Sequence, residues 1–135
     1  GMEPVQNRIE KLPFMDWRQL PAVIAGLDIN LMPLENSLFH WCKSENKWTE
    51  AALVKVPSVM SRNCEMEYVV ENGKDGWMCT TKEEWVNALE ALVTDEKARK
   101  AMGEAAHQKV MEHYLTVNTG KDAMEELLCS ESYTK

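Results

Sequence analysis

Lys43, Ser44, Lys47 and Glu50 bring two ammonium groups, a hydroxyl and a carboxylate into one short stretch of sequence. They lie within Phe39 to Ser61, FHWCKSENKWTEAALVKVPSVMS, which passes from a polar loop through an amphipathic segment into the apolar run VPSVM. Spacings of four and three place Lys43, Lys47 and Glu50 on one face of a helix expected over about residues 43–54. A helix N-terminus offers unpaired N–H groups and the positive end of the macrodipole, so phosphates settle there. Amines and N–H groups on phosphates, with a carboxylate on ribose hydroxyls, would hold a nucleotide. The same spacing fits a solvated face with an i,i+3 ion pair, worth a few tenths of a kcal/mol. Spacing alone leaves both readings open.

Other residues carry weaker signals. Ser61-Arg62-Asn63-Cys64 follows the apolar run, where Ser and Asn either bond a ligand or cap the next helix. His40 and Cys42 stand two apart in a loop, but no second pair at ligand spacing accompanies them, so no metal site is expected. Cys64 sits near a helix start, which can lower a thiol pKa; no histidine partner is evident, and a catalytic cysteine is not expected. Of the five tryptophans, Trp48 and Trp85 fall on helices and are read as packing, whereas Trp41 lies in the candidate site loop. Neither GxGxxG nor GxxxxGK[ST] occurs, so the dinucleotide and P-loop fingerprints are absent.

The chain has 135 residues, which by length is one domain, and 44% of them are hydrophobic, enough for a core. Fifteen Lys and Arg against 22 Asp and Glu give a formal charge of −7. No basic stripe offsets phosphate repulsion, so nucleic acid is excluded as the main partner and any anion site must be local. Cys42, Cys64, Cys79 and Cys129 form no CxxC pair. That spacing, without a secretory-leader pattern, points to free thiols in a reducing compartment. No apolar run approaches the roughly 20 residues needed to span a bilayer. The expected location is cytoplasmic or, in full-length form, peripheral to a membrane.

The elements that must position these residues read as follows. Residues 1–7 are taken as tag and lead-in. Arg8 to Leu12 is a weak strand candidate ended by Pro13. Asp16 with Gln19 resembles a capping box ahead of a short helix, PAVIA, that Gly26 stops. Leu27 to Met32 reads as a buried strand, a loop spans 34–42, and strand 56–60 follows the helix of 43–54. A short helix fits Glu65 to Val70, with Asn72-Gly73 as its stop, and Gly76 to Cys79 is a further strand. Thr81 with Glu84 makes a capping box, and Trp85, Ala88, Leu89 and Leu92 repeat at helical spacing. Thr94 is expected to cap another helix with the stripe Ala98, Met102, Ala106, Val110 and Tyr114. Tyr114 to Gly120 breaks the pattern before a last helix near 121–128 and a polar tail. Strands separated by helices imply a small parallel sheet of about four strands in a three-layer α/β/α, Rossmann-like fold. Ligands would then bind outside the strands' carboxyl ends: Pro13-Phe14, Pro33 to Asn36, Ser61 to Cys64, and Thr80.

The order of these pieces resembles the C-terminal, donor-binding domain of retaining nucleotide-sugar glycosyltransferases with the two-domain GT-B fold. The resemblance runs through Leu27-Asp28-Ile29, Pro33-Leu34, Lys43-Ser44 with Lys47, Glu50-Ala51-Ala52, Pro57 to Ser61, Val70 to Gly76, and Trp85 to Tyr114. It covers about residues 8–115, leaving 116–135 as a C-terminal helix and tail. It implies transfer of a sugar from a nucleotide sugar, which is a substrate rather than a cofactor, to a glycan or lipid-linked acceptor. Glu50 would contact the ribose, Lys43 and Ser44 would lie at the diphosphate, and Lys47 and Ser61 would complete the donor site. No catalytic acid or base and no metal is assigned. The acceptor-binding N-terminal domain and the first strands of this domain would lie outside these residues. Two positions and one loop depart from the family pattern: Cys42 replaces a glutamate, Lys55 a small residue, and Arg62-Asn63-Cys64-Glu65 a glycine-rich loop. A non-catalytic interaction module of the same fold is the alternative those departures favour; another Rossmann-like nucleotide-binding domain is a third.

Overall fold

A computed structural model describes residues 3–35 and 37–121. The chain opens with a 3-10 turn, Glu3–Arg8, and a second, Trp17–Gln19, leads into helix α1, Leu20–Ala25. Strand β1, Asn30–Met32, helix α2, Leu38–Trp41, and helix α3, Asn46–Leu53, come next. They are followed by β2, Ser58–Ser61, α4, Cys64–Val69, and β3, Trp77–Cys79. Two long helices, α5, Lys82–Thr94, and α6, Glu96–His113, complete the domain, and residues 116–121 are again helical.

The strands form one parallel sheet in the order β1-β2-β3. Asn30 to Met32 pair with Ser58 to Met60, and Val59 to Ser61 with Trp77 to Cys79. Because side chains alternate across a strand, the sheet feeds two cores. Met60 and Met78 join Trp48, Ala52, Met66, Val70, Ala106 and Val110 on one face. Val59 and Cys79 join Ala88, Leu92 and Met102 on the other. Helices therefore cover both faces, which is why Ser58, Val59 and Met60 of the central strand are all buried.

Three strands are present among the described residues where about four were expected. Residues 9–12 form no strand: Ile9 and Leu12 are exposed, and so short a segment without a neighbouring edge buries too little to hold an extended backbone. Asp16 caps the second 3-10 turn through the Arg18 N–H (2.9 Å), and Gln19 makes no side-chain cap. The Thr81–Glu84 capping box forms as read. Thr94, however, ends α5, its hydroxyl donating to the Glu90 carbonyl (2.6 Å), and Asp95 caps α6 through the Lys97 and Ala98 N–H groups. The break expected over 114–120 is shorter, since the helix has resumed at 116. The expected helix near 121–128 lies, beyond Lys121, outside the described residues.

Two devices hold α3 and α6 against the sheet. At the end of α3 the Lys55 N–H donates to Ala52 (3.0 Å) and the Val56 N–H to Ala51 (3.0 Å). This is a Schellman turn with Lys55 at φ +62°, where glycine is usual. Gly103 of α6 lies directly against it; a Cβ there would stand 2.1 Å from the Lys55 carbonyl oxygen. The second device is buried Asp75. Its carboxylate accepts from the Glu71 N–H (2.8 Å) and Lys109 Nζ (2.6 Å), and its carbonyl accepts from Trp48 Nε1 (2.9 Å). One residue thus ties the Asn72-Gly73 turn to both helices.

Candidate functional site at the carboxyl ends of the strands

The carboxyl ends of all three strands open into one cleft of about 580 Å³. Pro33, Leu34 and Glu35 after β1, Ser61 at the end of β2 with Arg62 to Cys64 after it, and Cys79 at the end of β3 with Thr80 after it line it. His40 and Trp41 of α2, Glu67 of α4 and Trp85 of α5 complete the wall. The carboxyl ends of the strands are where an open parallel α/β sheet takes its ligands.

Short-range bonds fix that lining. The Ser61 hydroxyl accepts from the Leu34 N–H (2.8 Å) and donates to the Leu34 carbonyl (3.1 Å), tying the β1 loop to β2. Buried Asn63 caps α4 through the Met66 N–H (2.8 Å), and its amide reaches the His40 carbonyl (3.5 Å). The Cys64 thiol donates to the Trp41 carbonyl (3.3 Å). Thr80 and Thr81 direct their N–H groups at the Glu84 carboxylate, and those bonds, that from Thr80 first, hold its pKa below the ordinary 4.5. Burial pushes the Cys79 thiol up, and the charge of Glu84 adds to the shift. Arg62 is paired with Glu67 at 3.1 Å. Ser37 caps α2 and sits 2.7 Å from His40 Nδ1.

Ser61 is the one expected donor-site residue in the cleft wall. Lys43 and Ser44 precede α3 rather than opening it: the helix starts at Asn46, with Glu45 as an N-cap that makes no side-chain bond. Lys43, Lys47 and Glu50 therefore do not share one helical face, and only the last two do. The Lys43 ammonium stands 4.3 Å over the Phe39 ring, while Lys47 and Glu50 are exposed on α3, just beyond α2. Among the described residues no ion pair joins Lys47 to Glu50 and no three His, Cys, Asp or Glu side chains gather around a possible metal position. The expected strand ends at 33–35, 61–64 and 80 converge, whereas Phe14 is fully exposed and stands outside the cleft. Sequence reasoning missed Glu67 and the cleft-lining role of Trp85, whose place at helical spacing signalled only packing. It also missed α2, for which Ser37 as an N-cap was the available signal.

A parallel sheet covered on both faces, with a cleft at its carboxyl edge, is the Rossmann-like half of a GT-B fold. Residues 2–95 match the family described as glycosyl transferases group 1, and the chain belongs to that family. Two solved structures share the fold. One is Anabaena Alr3699/HepE in complex with UDP and glucose: 18% identity, TM-score 0.76, covering 93% of this chain and 33% of that one. The other is the C-terminal domain of a glycosyl transferase group 1 family protein, LpcC, from Francisella tularensis. It matches with 18% identity and TM-score 0.58, over 76% of this chain and 52% of that one. The chain thus spans about a third and about half of the two. No protein of curated function matches in sequence. No described helix is long and apolar enough to cross a membrane.

Proposed function

We propose that this chain is the donor-binding part of a glycosyltransferase that moves a sugar from a nucleotide sugar to a glycan-type or lipid-linked acceptor. The observation that carries the reading is the cleft at the carboxyl ends of β1 to β3 in a chain of this family. HepE, which shares the fold, holds UDP and glucose, and that supports a nucleotide sugar here. Lys43 and Ser44 lie ahead of the uncapped start of α3, where free N–H groups and two lysines suit a diphosphate. Glu50 is assigned to the ribose and Lys47 to the phosphate side; Ser61 shapes the cleft lining. The protein's contribution is to position the donor and stabilise charge on the leaving diphosphate. No general acid or base and no cofactor is assigned, and the acceptor is held by a domain outside these residues. A cytoplasmic or membrane-peripheral location goes with this reading.

The position of Lys43 over Phe39, rather than in the cleft wall, favours a second reading: a non-catalytic module that binds no nucleotide. An NMR titration with UDP, GDP, ADP and their sugar conjugates separates the two. Shifts clustering at Lys43 to Glu50 and Ser61 to Glu65 are expected, and Glu50→Ala should weaken binding while leaving the fold intact. Unchanged affinity in that variant would remove Glu50 from the site.

A further inference from the structure

The end of α2 and the start of α4 meet in the wall of the cleft, where Trp41 and Cys64 line it, and each end carries a cysteine. Cys64 is the first residue of α4 and lines the cleft; Cys42 is the C-cap of α2. Both are exposed, free thiols. The Cys64 sulfur stands 3.3 Å from the carbonyl oxygen of Trp41, and that carbonyl belongs to the peptide bond that begins Cys42. Across a planar trans peptide the oxygen and the next Cα are about 2.8 Å apart, so the sulfur is at most about 6 Å from the Cys42 Cα. Adding the similar reach from a cysteine's own Cα to its sulfur bounds the two Cα atoms at about 9 Å, within about 2 Å of the separation that a disulfide spans. Helix α2 is a single turn of four residues, and bonds from Asn63 and Cys64 already hold its end beside the start of α4.

We propose that Cys42 and Cys64 are a disulfide-forming pair that closes the cleft. In the reduced state the Cys64 thiol holds α2 by a hydrogen bond to the Trp41 carbonyl. In exchange with a low-molecular-weight disulfide such as oxidised glutathione, the Cys64 thiolate, its proton lost to water, attacks one glutathione sulfur and expels a glutathione thiolate. The Cys42 thiolate, likewise deprotonated, then attacks the Cys64 sulfur of the mixed disulfide and releases the second glutathione. Two cysteine thiols are oxidised, and one glutathione disulfide is reduced to two thiols. The new bond draws the Trp41 end of α2 onto the start of α4 and ties down the segment leading to Lys43 and Ser44. That it blocks a nucleotide sugar rests on the donor-site reading; the pairing itself does not.

The test is incubation of the chain with oxidised glutathione, followed by intact-mass measurement and peptide mapping. The expected product has lost two hydrogens and joins the peptides of Cys42 and Cys64; Cys42→Ser should stop at a glutathione adduct on Cys64. A crosslink through Cys79 or Cys129 instead, or adducts with no internal disulfide, would overturn the pairing. UDP and UDP-glucose are then titrated into both forms, with binding expected about tenfold weaker in the oxidised one. Equal binding in both forms overturns the closing role. A reduced chain that takes no nucleotide, with the crosslink formed, overturns the donor reading and supports the pairing.

Discussion

Gly103→Ala reverses the usual sign of its substitution, and the reversal can be worked from the packing. In the middle of a helix, alanine in place of glycine ordinarily adds about 1 kcal/mol of stability. Here the new Cβ would sit 2.1 Å from the Lys55 oxygen, 2.8 Å from its carbonyl carbon and 3.4 Å from Pro57 Cδ. The first two are backbone atoms of a hydrogen-bonded turn, so no rotamer change relieves them. Separating α6 from that turn by about 1 Å disturbs the packing of Met102, Ala106 and Val110, which anchor α6 in both cores. Overpacking of this kind costs about 3 kcal/mol at the upper end of its usual range. Against the helical gain, the net loss is about 2 kcal/mol. Urea unfolding followed by far-UV circular dichroism should show the midpoint falling by about 1 M at unchanged slope. A midpoint that stays or rises would refute the claim that α6 is seated by the absence of a side chain at this position.

Lys55→Gly should stabilise by about 0.5–1 kcal/mol, because relief of the left-handed backbone outweighs the entropy glycine loses on folding and an exposed pair with Glu104; the midpoint of urea unfolding reads it. Asp75→Ala should cost about 2–3 kcal/mol, and Asp75→Asn less, since the amide oxygen can still accept from Glu71 while Lys109 loses its charge partner. Chemical denaturation of the two variants side by side tests that order. Glu84 has its folded pKa held below 4.5 by the Thr80 and Thr81 N–H groups, so its stabilising effect is full above 4.5 and lost as pH falls through the lowered value. Glu84→Gln should therefore flatten the acid limb of melting temperature against pH.

The places of strands β1 to β3 could be read from sequence because proline, glycine or polar residues bound each stretch, although β1 covers only Asn30–Met32 of the expected 27–32 and leaves Leu31 exposed. Helix α5 announced itself through a complete capping box and α6 through a five-residue stripe. What escaped is physical rather than accidental. Arg8 to Leu12 has the composition of a strand but no edge to pair with. Thr94 and Asp95 are both good caps placed side by side, and the choice fell to Asp95 because the Thr94 hydroxyl bonds back to Glu90. Helix α2 is one turn long, too short for any period to show. The role of Asp75 carries no local signal, because it depends on Trp48 and Lys109 arriving from helices 27 and 34 residues away along the chain.

The candidate site divides along the same line. Its position at the ends of the strands follows from topology, so Pro33 to Glu35, Ser61 to Cys64 and Thr80 were within reach of pattern reasoning. Its charged partners did not follow, because helical spacing assumes that the helix has already begun. Helix α3 starts at Asn46, about three residues later than the lysines suggested, which moves Lys43 out of line with Lys47 and Glu50 and sets it over Phe39. A lysine resting on an exposed ring is held by a weak contact, so an anion at the start of α3 competes for it at little cost. The displaced register thus leaves Lys43 within the segment that oxidation of Cys42 and Cys64 would immobilise, and the response of that lysine to a nucleotide should differ between the reduced and oxidised chains.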